Sequence, residues 1–124
     1  MAIDATGINL PNFGYRTFET ISANALTTDL NDSGKVLNFT HAAPTVSLHA
    51  VAAGESFTIR VGANPQTLII DPTGNDKIQG LDQTAADGKY VKFVNQPIGS
   101  FLTVVGGNAD GWNISAASGT LTAE

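Results

Sequence analysis

Serine, histidine and aspartate all occur in this chain, so a hydrolase triad is the first chemistry to weigh. In many hydrolases the nucleophilic serine lies in a Gly-x-Ser-x-Gly motif, and this chain contains no such motif. His41 lies in a turn before Pro44. His49 follows Leu48 in an alternating run, so it is predicted to face away from Val46 and Leu48. Both histidines are interpreted as surface or interface residues, no catalytic residue is assigned, and an enzymatic role is not expected.

Metal and cofactor sites are equally poorly supported. The two histidines have no third ligand at a suitable spacing. Residues 71–76, Asp-Pro-Thr-Gly-Asn-Asp, suggest calcium, but they fail the full EF-hand loop pattern, which needs oxygen ligands at alternating positions together with a distant glutamate. Residues 106–111 are rich in glycine but form neither a Walker loop nor a dinucleotide fingerprint. No metal and no cofactor is therefore assigned, and both segments are predicted to be turns.

Trp112 is the only tryptophan. An exposed tryptophan can stack on a sugar, as in carbohydrate-binding modules, whereas one in an alternating strand more often anchors a core or an interface. We expect the second role, and a carbohydrate-binding β module stays as an alternative.

The composition narrows the class of partner. The 124 residues make one domain, with six basic and eleven acidic residues, a net charge of −5 and no cysteine. The basic residues are scattered, and phosphate neutralisation supplies most of the affinity for nucleic acid, so neither nucleic acid nor an anionic membrane is an expected partner. The N-terminus shows no signal peptide, which predicts synthesis in the cytoplasm.

Most of the chain alternates between apolar and polar residues in short runs separated by turn residues, which indicates β-strands with one buried face. The spacing predicts an all-β fold, a compact antiparallel β-sandwich or barrel-like module of about eight short strands. The strands are expected at 35–40, 45–50, 56–62, 66–71, 76–79, 89–95, 100–105 and 111–115. Residues 16–30 fit either a strand or a helix, and their threonines favour a strand.

The same alternation predicts which side chains form the core. They are Leu37, Phe39, Val46, Leu48, Phe57, Ile59, Val61, Leu68, Ile70, Ile78, Val91, Phe93, Leu102, Val104, Trp112 and Ile114.

The N-terminal stretch is aperiodic yet rich in large apolar residues, unlike a disordered tail. It packs either on its own domain or on a neighbouring molecule. We therefore divide the chain into an extended N-terminal arm at 1–24, a candidate contact with another subunit or a partner protein, and a single β domain at 25–124. Interfaces favour buried apolar and aromatic anchors. The candidate partner-binding residues are Ile3, Ile8, Leu10, Phe13, Tyr15 and Phe18.

Two sets of segments resemble a small β module of tailed-bacteriophage structural proteins, found in capsid decoration (cement) proteins, head fibres and some tail-fibre regions. The first set is DSGKVLN at 32–38, TVSL at 45–48 and AAGESFTI at 52–59. The second set is LIIDPTGNDKIQG at 68–80, GKYVKFV at 88–94 and DGWNI at 110–114. The resemblance covers roughly residues 26–115 and consists of turn and strand patterns.

This resemblance implies a structural virion protein that assembles as a homo-oligomer, most often a homotrimer, and it carries over no catalytic residue. The short chain favours a stand-alone decoration protein on the capsid exterior, with the major capsid protein as its partner. A tail or head fibre component, or a baseplate component, is the structural alternative.

Overall fold

The computed structural model describes residues 17–80, 87–108 and 110–124. These residues form eleven β-strands and one short 3₁₀ helix, Leu30–Asp32. The strands are β1 Thr17–Ile21, β2 Ala25–Thr27, β3 Lys35–Phe39, β4 Thr45–Ser47, β5 Ser56–Val61, β6 Thr67–Asp71, β7 Lys77–Gln79, β8 Val91–Val94, β9 Phe101–Asn108, β10 Gly111–Ser118 and β11 Leu121–Ala123.

The strands form two sheets that enclose one hydrophobic core. The six-stranded sheet has the order β1-β3-β5-β9-β10-β7, and the five-stranded sheet has the order β11-β8-β6-β4-β2. The expected all-β, sandwich-like fold is therefore confirmed, and all eight predicted strands are present. The strand number is higher than expected because β1, β2 and β11 were not counted, although a strand was the favoured interpretation of the residues that form β1.

The expectation of an antiparallel module is wrong for much of the fold. Five of the strand pairings in the described residues are parallel and four are antiparallel. The reason is the path of the chain, which crosses to the other sheet after each of the first eight strands. Between two neighbours such as β1 and β3 the chain passes through a strand of the other sheet and returns. The neighbours therefore run in the same direction, whereas strands joined by a hairpin run in opposite directions.

All sixteen predicted core residues are buried, and Ile21 from β1 joins them. The core draws Phe39, Phe57 and Trp112 from the six-stranded sheet and Phe93 from the five-stranded sheet. Strand alternation directs intervening side chains such as Thr58 to the opposite face of the six-stranded sheet, where Thr58 is also buried and its hydroxyl is 2.7 Å from that of Thr103.

One close backbone approach, at Gly106 of β9, shapes the end of the sandwich at which β5 begins. Gly106 N donates to the carbonyl oxygen of Glu55 at 2.7 Å, and Gly54 N donates to that of Gly106 at 2.8 Å. A Cβ atom at position 106 would lie 2.0 Å from the carbonyl oxygen of Ala52, so only glycine fits here. This contact holds the 52–55 turn against β9 and fixes the start of β5.

Candidate functional site

One group of hydrogen-bonded polar side chains beside the core is centred on the imidazole of His49. Its Nε2 lies 2.7 Å from Oε1 of Glu55, and its Nδ1 lies 2.7 Å from Oγ1 of Thr28. Thr28 follows β2 and His49 follows β4, both of the five-stranded sheet, whereas Glu55 precedes β5 of the six-stranded sheet. The ring therefore links the two sheets. We call Thr28, His49 and Glu55 the imidazole cluster.

Hydrogen bonds of the backbone hold the segments that carry the imidazole cluster in place. Thr28 N donates to the Ser47 carbonyl at 2.9 Å, which continues the pairing of β2 with β4. The Thr28 hydroxyl in turn accepts the backbone N–H of His49 at 3.0 Å. On the other side, the Asp76 carboxylate accepts the backbone N–H of Val51 at 3.0 Å. The loop that carries His49 is thus held at both ends.

Two aromatic rings pack against the imidazole. The His49 ring stacks on Phe57, with centroids 6.2 Å apart and planes inclined by 21°. Trp112 meets His49 edge-on with a centroid distance of 5.3 Å, and Phe57 and Trp112 are also 5.3 Å apart. The side chain of His49 keeps 21% of its surface exposed and that of Glu55 only 7%. The pair is therefore largely shielded from water on the core side.

The predicted orientation of His49 is wrong. Its ring points toward core aromatic residues, because β4 ends at Ser47 and the alternation that was extended to His49 stops there. His41 is exposed as expected, and its Nδ1 accepts the backbone N–H of Ala43 at 3.0 Å within a local turn.

The cluster has the hydroxyl–imidazole–carboxylate order of a hydrolase triad, but its geometry does not support nucleophilic chemistry. Thr28 has only 2% of its surface exposed, so its hydroxyl cannot reach a substrate without rearrangement. The same oxygen already accepts the His49 backbone N–H. The arrangement fits a structural bridge better than an active site.

The bridge remains hydrogen-bonded in either charge state of the ring. When His49 is neutral, Nε2–H donates to Glu55 and Nδ1 accepts the Thr28 hydroxyl proton. When the ring is charged, both nitrogens donate, and the Thr28 hydroxyl can turn to the Ser47 carbonyl at 3.5 Å. A buried carboxylate thus always has the imidazole as a donor, which is what its burial requires.

Trp112 has no exposed surface, so the expected core role is confirmed. Sugar stacking needs an aromatic face open to solvent. The carbohydrate-binding alternative therefore loses the residue on which it rested. The indole Nε1 is also buried and has no hydrogen-bond partner among the described residues.

The acidic turn at residues 71–76 behaves as a turn in the structure. Asp76 N donates to the Thr73 carbonyl at 3.0 Å, while its carboxylate accepts from Val51. Within residues 17–80, 87–108 and 110–124, no three acidic, histidine or cysteine side chains cluster closely enough to hold a metal ion.

Asp71, at the end of β6, is expected to make the free energy of unfolding depend on pH. Burial, and secondarily the nearby Glu124 carboxylate, raise the pKa of Asp71 above its ordinary value. A raised pKa means that the charged form disfavours the folded state, so this penalty is present at neutral pH and fades as the pH falls through the folded-state pKa. Asp71→Asn is expected to raise the free energy of unfolding by up to about 0.5 kcal/mol at pH 7, within the usual range for surface substitutions.

The measurement for Asp71→Asn is urea unfolding of both proteins from pH 7 downward. The two curves should converge below the ordinary aspartate pKa of about 3.9. Glu124→Gln serves as the companion variant, since it should shift the NMR-measured pKa of Asp71 downward. An Asp71 pKa at or below that of a model peptide would contradict the assignment.

The described part of the arm places Phe18 on the outer face of β1, an edge strand. Phe18 has 57% of its surface exposed, and the guanidinium carbon of Arg60 lies 5.6 Å from its ring centroid. Arg60 Nη1 also donates to Oδ1 of Asn38. The Arg60 side chain therefore extends from β5 across β3 to β1. We call Phe18 and Arg60 the edge patch.

The edge patch contains one predicted partner-binding residue and one that the sequence analysis did not select. Phe18 was a candidate anchor and is exposed, and its role in binding stays a prediction. Arg60 was not singled out because it lies inside a well-formed strand, and only the pairing of β1 with β3 and of β3 with β5 brings it to Phe18. The other candidates lie outside the described residues: Ile3, Ile8, Leu10, Phe13 and Tyr15.

Comparison with models of protein families finds no match, and comparison with curated proteins finds no significant relative. In the described ranges, no helix has the length and apolar character needed to cross a bilayer.

Proposed function

We propose that the protein is a structural virion protein, a decoration or cement protein that binds the outside of a phage head and clamps neighbouring capsid subunits. The sequence resemblance set out above supports this proposal over most of the β domain. The architecture is compatible with it, because two sheets around one core make a rigid body suited to holding other molecules in place.

The observation that carries the proposal is the exposed aromatic side chain of Phe18. It lies at the point where the apolar N-terminal arm enters the six-stranded sheet, and 57% of its surface is exposed. Aromatic and arginine side chains are enriched among the residues that contribute most to binding. Phe18 and Arg60 together thus form a surface with the composition of an anchor.

Clamping requires no chemistry, only differential binding to the assembled shell. A homotrimer of the chain would contact several capsid subunits at a joint, and each stable contact would bury on the order of 1,600 Å². A ligand that binds the assembled state and not the dissociated one stabilises the assembly by mass action. The bridging role assigned to the imidazole cluster agrees with this, since it makes the clamp itself stiffer.

The proposal is tested by mixing purified protein with undecorated phage capsids. The wild-type chain is expected to bind saturably at a fixed copy number per particle. Deletion of residues 1–14, or Phe18→Ala, should weaken binding at least about tenfold, as loss of an interface anchor does. Val94→Ala is the matched control, because Val94 is an exposed apolar residue on the other sheet.

Unchanged binding after the deletion would refute the role of the arm. Absence of binding by the wild-type chain to heads, together with labelling of tails or baseplates in electron micrographs, would replace the capsid proposal with the fibre or baseplate alternative.

A further inference from the structure

In the residues that the structure describes, the two sheets have four edge strands, and one of them differs from the others. β2, β7 and β11 each contain three residues, whereas β1 contains five. Very short edge strands are one way in which proteins prevent unwanted pairing with other chains. Among the described residues, no strand pairs with the outer side of β1, so this edge is the longest one left open.

β1 also lacks two other common protections of an edge strand, which are proline and a bulge. It contains no proline and pairs with β3 in unbroken register. Its one charged residue, Glu19, is bound by Lys35 at 3.0 Å. Phe18 is the only exposed large hydrophobic residue in any of the four edge strands. An edge with these properties suits the addition of an extended segment from another chain.

Arg60 indicates the charge of that segment. Its guanidinium is held over Phe18 and by Asn38, yet no carboxylate lies within ion-pair distance of it in the part of the chain that the structure describes. An arginine fixed in this way presents a planar set of donors suited to a carboxylate. The segment that pairs with β1 should therefore carry an acidic residue among apolar ones.

We propose that this segment is the N-terminal stretch of a second copy of the chain, with Asp4 of one copy placed against Arg60 of the other. Asp4 is the only charged side chain in residues 1–14, and it follows Ile3 directly. Residues 2–8 contain no proline, so every backbone N–H in this run can pair with a strand. The inference rests on the self-association included in the proposed function and names its contact.

The sequence disfavours the same pairing within one copy. A hairpin turning at Gly14 would place residues 8–12 opposite β1, and Pro11 in that run lacks the backbone donor that a strand needs. Asp4 would then lie about seven residues past the position opposite Phe18, roughly 20 Å further along the strand direction. The complementarity of Asp4 with Arg60 is thus available between copies and lost in the hairpin.

The geometry also allows a closed assembly. In each copy the open edge of β1 can accept a segment from another chain. The N-terminal arm, which precedes β1 in the sequence, can supply such a segment to a neighbour. A contact of this kind is repeated by symmetry, as a reciprocal pair or as a ring when the rotation closes. Each copy would then cover its own Phe18 with a neighbour's arm, so that Phe18 would support capsid binding by holding the oligomer together.

The test is a charge exchange followed by measurement of the oligomeric state. The wild-type chain, Asp4→Arg, Arg60→Asp and the double variant are compared by sedimentation equilibrium without any capsid. Each single variant should weaken association at least about tenfold, and the double variant should recover most of the loss, since the opposite charges are again paired. Lys92→Asp is the control for charge alone, because Lys92 lies on the other sheet over Tyr90.

A wild-type chain that stays monomeric, or a double variant no better than the single ones, overturns the inference. So does a charge exchange that changes the unfolding free energy of a monomer, which would assign the pairing to the chain's own arm. Capsid binding by a strictly monomeric chain would overturn this inference and leave the proposed function standing. A chain that self-associates through this contact but does not bind capsids would support this inference and overturn the proposed function.

Discussion

Trp112→Ala is expected to lower the free energy of unfolding by about 3–5 kcal/mol, the usual cost of truncating a large buried aromatic residue. Trp112 has no exposed surface and lies on β10, where it contacts the rings of His49 and Phe57. Because a domain of this size is stable by only about 5–15 kcal/mol, the variant should lose a large fraction of its stability.

The measurement is urea unfolding followed by far-ultraviolet circular dichroism, with Phe18→Ala as the matched aromatic control. Phe18 is exposed, so its loss should change stability by no more than about 0.5 kcal/mol. Trp112→Phe should cost clearly less than Trp112→Ala. It keeps most of the apolar volume and removes an indole N–H that has no partner among the described residues. Equal losses for the two Trp112 variants would contradict this account of the core.

The core was predictable from the sequence because burial in a strand follows a simple alternation. In β5, Phe57, Ile59 and Val61 are buried at every second position, and the same period holds in β6 for Leu68 and Ile70. The alternation of side chains depends only on local strand geometry, so the buried positions can be predicted without knowing the strand order. This is why every predicted core residue is buried in the structure.

Strand direction was not predictable in the same way. The alternation of β3 would be identical whether its neighbours were parallel or antiparallel to it, and the crossing of the chain between sheets leaves no periodic signal. β2 and β11 are too short for alternation to be visible. Their existence depends on pairing with β4 and β8 and not on their own residues.

The imidazole cluster was missed for a related reason. An acidic residue at position 55 and a histidine at position 49 look like ordinary polar turn residues, since burial of Glu55 depends on a partner that only the tertiary structure supplies. The one available signal was the position of His49 just beyond a strand, where extension of the alternation is unsafe. Phe18 was selected as one of the large apolar residues of an aperiodic stretch, and its role in binding a partner stays a prediction.

His49→Leu is expected to lower the free energy of unfolding by about 2–3 kcal/mol. The substitution removes the imidazole donor of the buried Glu55 carboxylate, and leaving a buried hydrogen-bonding group without its partner costs about 1–3 kcal/mol, more for a charged group. Leucine keeps apolar contact with Phe57 and Trp112, so the loss reports mainly the two hydrogen bonds of the ring. The emission of the single tryptophan, which touches His49, reports unfolding in a urea titration.

The exposed histidine supplies the control, because His41→Leu should change stability by no more than about 0.5 kcal/mol. The decisive variant is the double one, His49→Leu with Glu55→Met. If the loss in His49→Leu comes from a carboxylate stranded in the core, removing that carboxylate as well should restore at least about 1 kcal/mol. If the two losses simply add, the bridge between the sheets is not an interaction between these two side chains. The stiffness assigned to this end of the sandwich would then have to come from the packing of Phe57 and Trp112 alone.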